Sequence, residues 1–409
     1  MTSADDLPSA RSAPHTPRTV RLGLLGGALI ALGYAPLAIT YMWRYFTPHS
    51  VQLQASLTSA IDGHTYAVGY GSVDWLRSTA YQEHRWVMLI HTTLGGIALI
   101  LAVIQFFPLS RRHPRLHRWC GRAFLASMSG SMGAAMVFLV LAGNAPFRYG
   151  PALALQLWVL ALACLSTGWT AVAMVRRRNI AAHHGFVLLC IAFLMTAPGL
   201  RALWIGLHAV FPQLLLMDNL IGASIAETVL APALGVIAFI LTRSDPPSAP
   251  PAGLPGDGPV EGTLLAAIVL VATVAHYQKT VAGLVPRELF WCYLAPMAAL
   301  MTLCVIAGAR ANQSGHPATR DRWRTLYRGL IASALATNAT WLLATPMIGH
   351  VGAFIASLMV TTGAPITIAG LMLIHEITPS EGHPGTRGGR IQPATSRSWI
   401  ERSEATPVG

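Results

Sequence analysis

The chain has 409 residues, of which 53% are hydrophobic and only 11% are charged, and its formal net charge is +12. A soluble domain carries roughly 25% charged residues, so the composition excludes a soluble globular protein. The apolar stretches match the roughly 30 Å hydrocarbon core of a bilayer as helices and are too long for barrel strands. We therefore expect an all-α fold, a polytopic transmembrane helix bundle.

The positive charge comes almost wholly from arginine, and Lys279 is the only lysine. Arginine at the ends of apolar segments is typical of membrane orientation, because cytoplasmic loops carry an excess of basic residues. This interpretation needs no nucleic acid. The expected partners are the lipid bilayer and, at the cytoplasmic arginine turns, anionic lipid headgroups; the oligomeric state stays open.

The first half of the chain predicts a six-helix transmembrane domain in residues 21–242. The apolar segments lie at about 22–43, 86–108, 119–141, 151–175, 184–209 and 217–241. The preceding residues 1–20 are polar and are expected to form a disordered cytoplasmic tail. The stretch 44–84 is expected to be a polar loop whose aromatic residues lie at the membrane interface.

A stretch rich in proline and glycine, residues 243–260, is predicted to be a linker. A four-helix transmembrane region follows in residues 261–376, with apolar segments at about 264–284, 290–308, 326–347 and 351–375. The polar residues 377–409 predict a second disordered cytoplasmic tail. The sequence thus predicts about ten transmembrane helices in a 6+4 arrangement.

The distribution of arginines predicts how these helices are oriented. With the N-terminus in the cytoplasm, the cytoplasmic side receives the arginine-rich stretches 111–122, 176–178 and 310–328, and the other side receives few basic residues. Both termini are then cytoplasmic. The expected location is the bacterial cytoplasmic (inner) membrane.

Two basic turns on the predicted cytoplasmic side carry histidines at the starts of two helices. The candidate residues of this inner-face site are His117, Arg118, Arg122, His183 and His184. Histidines on facing helices can ligate haem, so His117 and His184 are candidate ligands of haem b. Alternatively, these residues lie at the headgroup layer, bind lipid phosphate and cap the helices.

Three ionisable residues fall inside predicted helices, where a charge costs about 2.5–3.5 kcal/mol on insertion scales. They are His91, Arg201 and Glu227, all in the predicted outer half of the membrane. If their helices are neighbours, the three meet at similar depth, and Arg201 and Glu227 are expected to form an ion pair. The group would form a polar pocket for a proton, an anion or a small polar ligand, or it would fix helix packing.

The pattern of these residues resembles a bacterial membrane family catalogued as domain of unknown function 2306. The resemblance rests on His91, the hinge 117–122 (His-Arg-Trp-Cys-Gly-Arg), His183 and the pair Leu200-Arg201, and it covers about residues 86–205. It implies a membrane protein without an established activity. Phe186 stands where the family tends to have tryptophan, and Leu189 where it tends to have arginine.

A more distant likeness is to four-helix membrane cytochromes b, which pair histidines from alternate helices near each face. That likeness implies haem between His117 and His183 or His184, with His208 as a substitute partner for His91. Overall the sequence predicts an integral membrane protein of unknown activity with a polar His/Arg site in the six-helix domain. The alternatives are a haem-binding redox protein, a transporter or sensor of a small polar ligand or proton, and a scaffold without a ligand.

Overall fold

The computed structural model of the chain describes residues 18–47, 49–107, 110, 112–143, 151–243 and 259–376. The predictions of disordered tails and of a linker fall almost entirely on residues 1–17, 244–258 and 377–409, which lie outside the described residues.

The described residues form helices and no strand, so the all-α class is confirmed. Numbered in chain order, the helices of the first half are α1 (Arg18–Thr40), α2 (Leu53–Asp62), α3 (His64–Val68), α4 (Val73–Glu83), α5 (Arg85–Phe106), α6 (Pro114–Ala142), α7 (Ala152–Arg176), α8 (Ile180–Leu194), α9 (Thr196–Val210) and α10 (Leu216–Leu241). Those of the second half are α11 (Pro259–Thr280), α12 (Arg287–Gln313), α13 (Pro317–Ala356) and α14 (Gly363–Glu376).

Among the described residues, 8 helical stretches are long and apolar enough to cross a membrane, or up to 9 if a bent pair counts as one span. The bent pair is α8 and α9, which meet at 41°, where the sequence predicted one continuous helix. Pro198 explains the break, because its ring clashes with the carbonyl four residues earlier and it donates no backbone hydrogen bond. That carbonyl belongs to Leu194, the last residue of α8.

The last helical stretch, Pro317–Glu376, has 60 residues, which at 1.5 Å per residue would extend about 90 Å. It is not one straight helix, because the backbone at Gly349 has φ 72° and ψ 168°. Only glycine adopts that region without strain. Further along, Ser357–Thr361 forms a π-helical segment that connects α13 to α14.

Helix α10 lies at the centre of the bundle. In its most apolar window 67% of the residues are buried, compared with 17% to 50% in the other candidate spans. It packs against α8 and α9 of the first half and α12 and α14 of the second. One hydrophobic core therefore joins both halves, and the division into a six-helix and a four-helix domain stays a prediction.

The stretch 44–84 was predicted as a loop, and this was wrong: it contains the short helices α2, α3 and α4. Gly63, with φ 90°, separates α2 from α3. The Ser72 hydroxyl accepts a hydrogen bond from the Trp75 backbone N–H at 3.1 Å and so caps the start of α4. Polar composition hid these helices, because their stability comes from caps and packing rather than from a long apolar run. We call residues 53–83 the cap.

The cap is fastened by a bidentate ion pair to the 3-10 turn Trp43–Tyr45, which follows α1. Arg44 donates from Nη1 to Asp74 Oδ2 at 2.6 Å and from Nη2 to Asp74 Oδ1 at 2.5 Å. Both side chains are largely buried, with relative exposures of 13% and 19%. The Tyr41 hydroxyl donates to the same carboxylate at 3.3 Å. Such a fork-shaped, partly buried pair is geometrically specific, so it fixes where α4 lies over the bundle.

Candidate functional site

A cavity of about 470 Å³ lies within the bundle, and the three outer-half candidates all line it. His91 comes from α5, Arg201 from α9 and Glu227 from α10. The cap contributes Gln54 and Arg77 to the cavity wall. The π-helical segment and α14 complete the wall from the other half of the chain.

His91 is held by two hydrogen bonds to α6. Its Nδ1 lies 3.0 Å from the Ser131 carbonyl oxygen and 3.1 Å from the Ser131 hydroxyl. That hydroxyl in turn donates to the His91 carbonyl oxygen at 2.8 Å. Because Nδ1 is used in this contact with α6, the ring orientation is fixed and Nε2 is the ring atom left for a ligand.

Arg201 lies on α9 with its guanidinium carbon 4.4 Å from the centre of the Trp204 ring. This cation–π contact orients the guanidinium without using its N–H donors. Its Nε is buried and makes no hydrogen bond. Among the described residues, no carboxylate oxygen lies within 4.0 Å of the Arg201 nitrogens, so the predicted ion pair with Glu227 is not formed.

Glu227 projects from α10 towards α9. Its carboxylate occupies the place that a Cβ atom at Gly199 would take. Arg201 follows only two residues after this glycine, but its guanidinium turns to Trp204 instead. The two side chains therefore line the same cavity without contacting each other.

Gln156 of α7 was missed as a site residue. Its Nε2 donates to the Ser224 carbonyl oxygen at 2.7 Å and to the Thr228 hydroxyl at 2.6 Å. Its Oε1 is buried without a hydrogen-bond partner. The Thr228 hydroxyl also lies 3.1 Å from the carbonyl oxygen of Met359 in the π-helical segment. These contacts join α7, α10 and the second half of the chain along one polar strip of the cavity wall.

The cap contacts the wall beside Arg201 through Tyr66. Its hydroxyl donates to the Trp204 carbonyl oxygen at 3.0 Å and accepts from Asn219 Nδ2 at 2.8 Å. Burial raises the pKa of Tyr66 to about 12, so the hydroxyl stays protonated as a donor. The ring of His208 stacks on Tyr66 at 3.9 Å. His208 is therefore engaged with the cap, and it does not line the cavity that His91 lines.

The inner-face candidates lie at helix starts, as the sequence predicted. The Nδ1 of His117 lies 3.4 Å from the Ser110 hydroxyl, and its carbonyl oxygen accepts from Gln105 Nε2 at 2.9 Å. Arg118 is exposed and donates from Nε to the Pro114 carbonyl oxygen at 3.2 Å. The contacts named here lie within residues 105–118.

The remaining inner-face residues make local contacts too. The guanidinium carbon of Arg122 lies 5.3 Å from the centre of the Trp119 ring. His183 Nδ1 lies 2.8 Å from the Ala171 carbonyl oxygen, and the ring centres of His183 and His184 are 5.7 Å apart. None of the five inner-face candidates lines the cavity, whose only described histidine is His91. The haem prediction at His117 and His184 stays a prediction.

The family comparison covers the helices that carry the polar wall. Residues 88–235 match the family described as "Predicted membrane protein (DUF2306)". The predicted resemblance is thereby confirmed, and the match extends beyond it to include Glu227. No curated protein and no solved structure matches the chain.

The DUF2306 match includes His91, Gln156, Arg201 and Glu227, but neither the cap nor the second half of the chain. Part of the cavity wall therefore comes from outside the family region. Leu189, which stands where an arginine was expected, is fully buried in the core. A charge there would need a partner inside the core, and Leu189 does not line the cavity.

Proposed function

We propose that this membrane protein is a transporter or sensor that binds a small ligand with a carboxylate or phosphate group in the cavity. Arg201 is the anchor for that group. The observation that carries the proposal is a guanidinium in the cavity wall that no described carboxylate neutralises within 4.0 Å.

The charge of the wall favours an anion over a cation. Arginine stays protonated in proteins, so an arginine inside the membrane keeps its charge and requires a counter-charge. Among the described lining residues, Arg201 is a cation, and the one acidic residue, Glu227, lies beyond contact distance of it. A planar guanidinium also matches carboxylate and phosphate oxygens with two parallel hydrogen bonds.

Further polar groups would recognise the rest of the ligand. His91 Nε2 and the Gln156 Oε1 supply a hydrogen-bonding position each, and Glu227 supplies acceptor oxygens. The cavity volume of about 470 Å³ falls in the roughly 300–1,000 Å³ range of small-molecule sites. A mainly apolar wall with a few fixed polar groups is typical of such sites.

The topology that accompanies this proposal has ten spans in the cytoplasmic (inner) membrane. The break at Gly349 supports two spans in Pro317–Glu376, and the bent pair α8–α9 supports one. The arginines of 112–122, 176–178 and 310–328 then lie on the cytoplasmic side with both termini. There, Arg122 and the 68%-exposed Trp119 suit anionic lipid headgroups.

The test measures equilibrium binding of radiolabelled hexanoate and hexyl phosphate to the detergent-purified protein. We expect saturable binding of at least one of them and a loss of about tenfold or more in Arg201→Gln, the cost of one or two charged hydrogen bonds. Arg122→Gln is the matched control, since Arg122 lies outside the cavity. No saturable binding, or equal affinity in Arg201→Gln, would overturn the proposal.

A haem-binding redox protein is the second candidate, favoured by one observation. His183 Nδ1 contacts the Ala171 carbonyl oxygen at 2.8 Å, an arrangement that orients a ligating histidine and leaves Nε2 outward. An absorption spectrum tests it. A Soret band that is lost in His117→Ala and His183→Ala supports haem, and a colourless preparation from haem-replete cells contradicts it.

A further inference from the structure

The cavity reaches the lipid-facing surface of the bundle between α7 and α14. Two apolar residues of its wall, Val159 of α7 and Ile368 of α14, have relative exposures of 48% and 55%. An enclosed cavity would leave its wall residues buried from the outside. The exposure of the neighbouring residues on each helix shows whether Val159 and Ile368 face only the cavity or also the bilayer.

On α7, four of the five exposed large apolar residues fall on one face. They are Leu155, Val159, Leu162 and Trp169, which recur three, four or seven residues apart; the fifth, Val175, lies at the end of the helix. An apolar stripe with this period on the outside of a membrane helix faces lipid. Val159 therefore belongs both to the lipid-facing stripe and to the cavity wall.

Helix α14 repeats this arrangement. Ile368 and Met372 lie one turn apart, and both are 55% exposed. Ile368 lines the cavity, whereas Met372 does not. The exposed residues of the cavity wall are Ala364 and Ile368 on this helix and Val159 on α7, and we call the opening at Val159 and Ile368 the portal.

The portal lies beside the contact that joins the two halves. Gln156 donates there to Thr228, whose hydroxyl contacts the Met359 carbonyl oxygen of the π-helical segment, and a Cβ at Gly363 would lie 2.8 Å from the Thr228 carbonyl oxygen. Val159 follows Gln156 by three residues, and Ile368 follows Gly363 by five. The portal therefore lies about one helical turn from the polar strip that Gln156 and Thr228 form.

The cap contributes Gln54 and Arg77 to another part of the cavity wall, and the Arg44–Asp74 pair fastens the cap to the turn that follows α1. The cavity therefore has a polar wall near the cap and an apolar opening to the bilayer.

We infer that the ligand is a single-chain anionic amphiphile, an alkyl chain with a carboxylate or phosphate head, which enters sideways from the bilayer through the portal. The head binds Arg201, and the chain lies along the apolar wall towards Val159 and Ile368. This inference rests on the proposed function, because it assigns the substrate class and the route of the same site.

The experiment measures the association rate of tritiated palmitate with the full-length protein in nanodiscs. Val159→Trp and Ile368→Trp fill the portal, and we expect each to slow palmitate association by about tenfold or more. Leu162→Trp and Met372→Trp are matched controls on the same stripes, outside the cavity wall. We expect these controls to bind palmitate at the wild-type rate.

Equilibrium binding of hexanoate or hexyl phosphate, whichever the wild-type protein binds, is measured on all four variants. It shows that the variants are folded, because the short probe needs only the polar wall. Wild-type palmitate rates in both portal variants, or no palmitate binding by the wild-type protein, would overturn the inference and leave the proposed function standing. Binding of the short probe that is insensitive to Arg201→Gln would instead overturn the proposed function itself.

Discussion

The carboxylate of Glu227 occupies the position that a side chain at residue 199 would take, and glycine at that position makes this possible. Through this contact α9 and α10 place Arg201 and Glu227 in one cavity wall without pairing them. The positions of Arg201 and Glu227 in the cavity wall therefore depend on the absence of a side chain at residue 199.

Gly199→Ala tests this relationship. An added methyl group must displace the Glu227 carboxylate, and we expect affinity for the short anionic probe to change by about threefold to tenfold. The melting temperature should change little, because the atom that moves is the end of a flexible side chain. Probe binding and thermal unfolding of the purified variant measure the two effects.

Gly206→Ala on the same helix is the control, since nothing lies within 4 Å of the added methyl group. It should leave binding unchanged and stabilise the protein by about 0.5–1 kcal/mol, because alanine favours a helix over glycine. Equal probe affinities in both variants and the wild type would show that the position of Glu227 does not matter.

The Arg44–Asp74 pair should account for much of the stability of the cap. Asp74→Ala removes two charged hydrogen bonds and leaves a largely buried guanidinium, so we expect the free energy of unfolding to fall by about 1–3 kcal/mol. Limited proteolysis should cut the cap faster in this variant. The double variant Arg44→Ala/Asp74→Ala should lose less than the sum of the single changes.

The surface pair Arg320–Asp321, in which the aspartate is 58% exposed, provides the comparison. Asp321→Ala should cost at most about 1 kcal/mol, because exposed ion pairs are screened by solvent. A cost for Asp74→Ala no larger than for Asp321→Ala would contradict the role assigned to the cap clamp.

Gly349→Ala should destabilise the protein by about 1–3 kcal/mol, because its backbone lies in a region that only glycine adopts freely. Gly352→Ala is matched to it, since there an added methyl group meets only ordinary contacts at 3.5 Å or more. Thermal unfolding compares the two variants. Equal stabilities would mean that residue 349 can adopt ordinary helical backbone.

Topology can be tested with cysteines in a cysteine-free background and a membrane-impermeant maleimide. We expect His350→Cys, next to the break, to react from outside the cell, and Ser314→Cys, in the turn between α12 and α13, to react only after the membrane is opened. Both positions are exposed. The same labelling pattern at both positions would contradict the division of Pro317–Glu376 into two spans.

Sequence reasoning identified His91, Arg201 and Glu227 because ionisable residues are rare within apolar segments. It could not foresee that Arg201 and Glu227 do not pair with each other, because the pairing depends on the Trp204 ring and on the space beside Gly199, which are three-dimensional relationships. The ion pair was expected from depth alone, and depth does not determine side-chain direction.

Other features were missed for different physical reasons. Gln156 is uncharged, so it did not stand out, although a glutamine inside an apolar helix is itself a signal of an interhelical hydrogen bond. The break between α8 and α9 was visible as Pro198-Gly199 but was treated as part of one helix. Met359 and Ile368 line the cavity although they lie far along the chain from its other wall residues. No local sequence pattern predicts such a contact.

Photolabelling of the protein in membranes with a stearate analogue that carries a diazirine in mid-chain tests the central claim most directly. We predict labelled peptides from the cavity wall at 156–164 and 359–368, with labelling of both lost in Arg201→Gln. Labelling confined to the outer lipid-facing stripes, or unchanged in Arg201→Gln, would contradict an anionic amphiphile held in the cavity by Arg201.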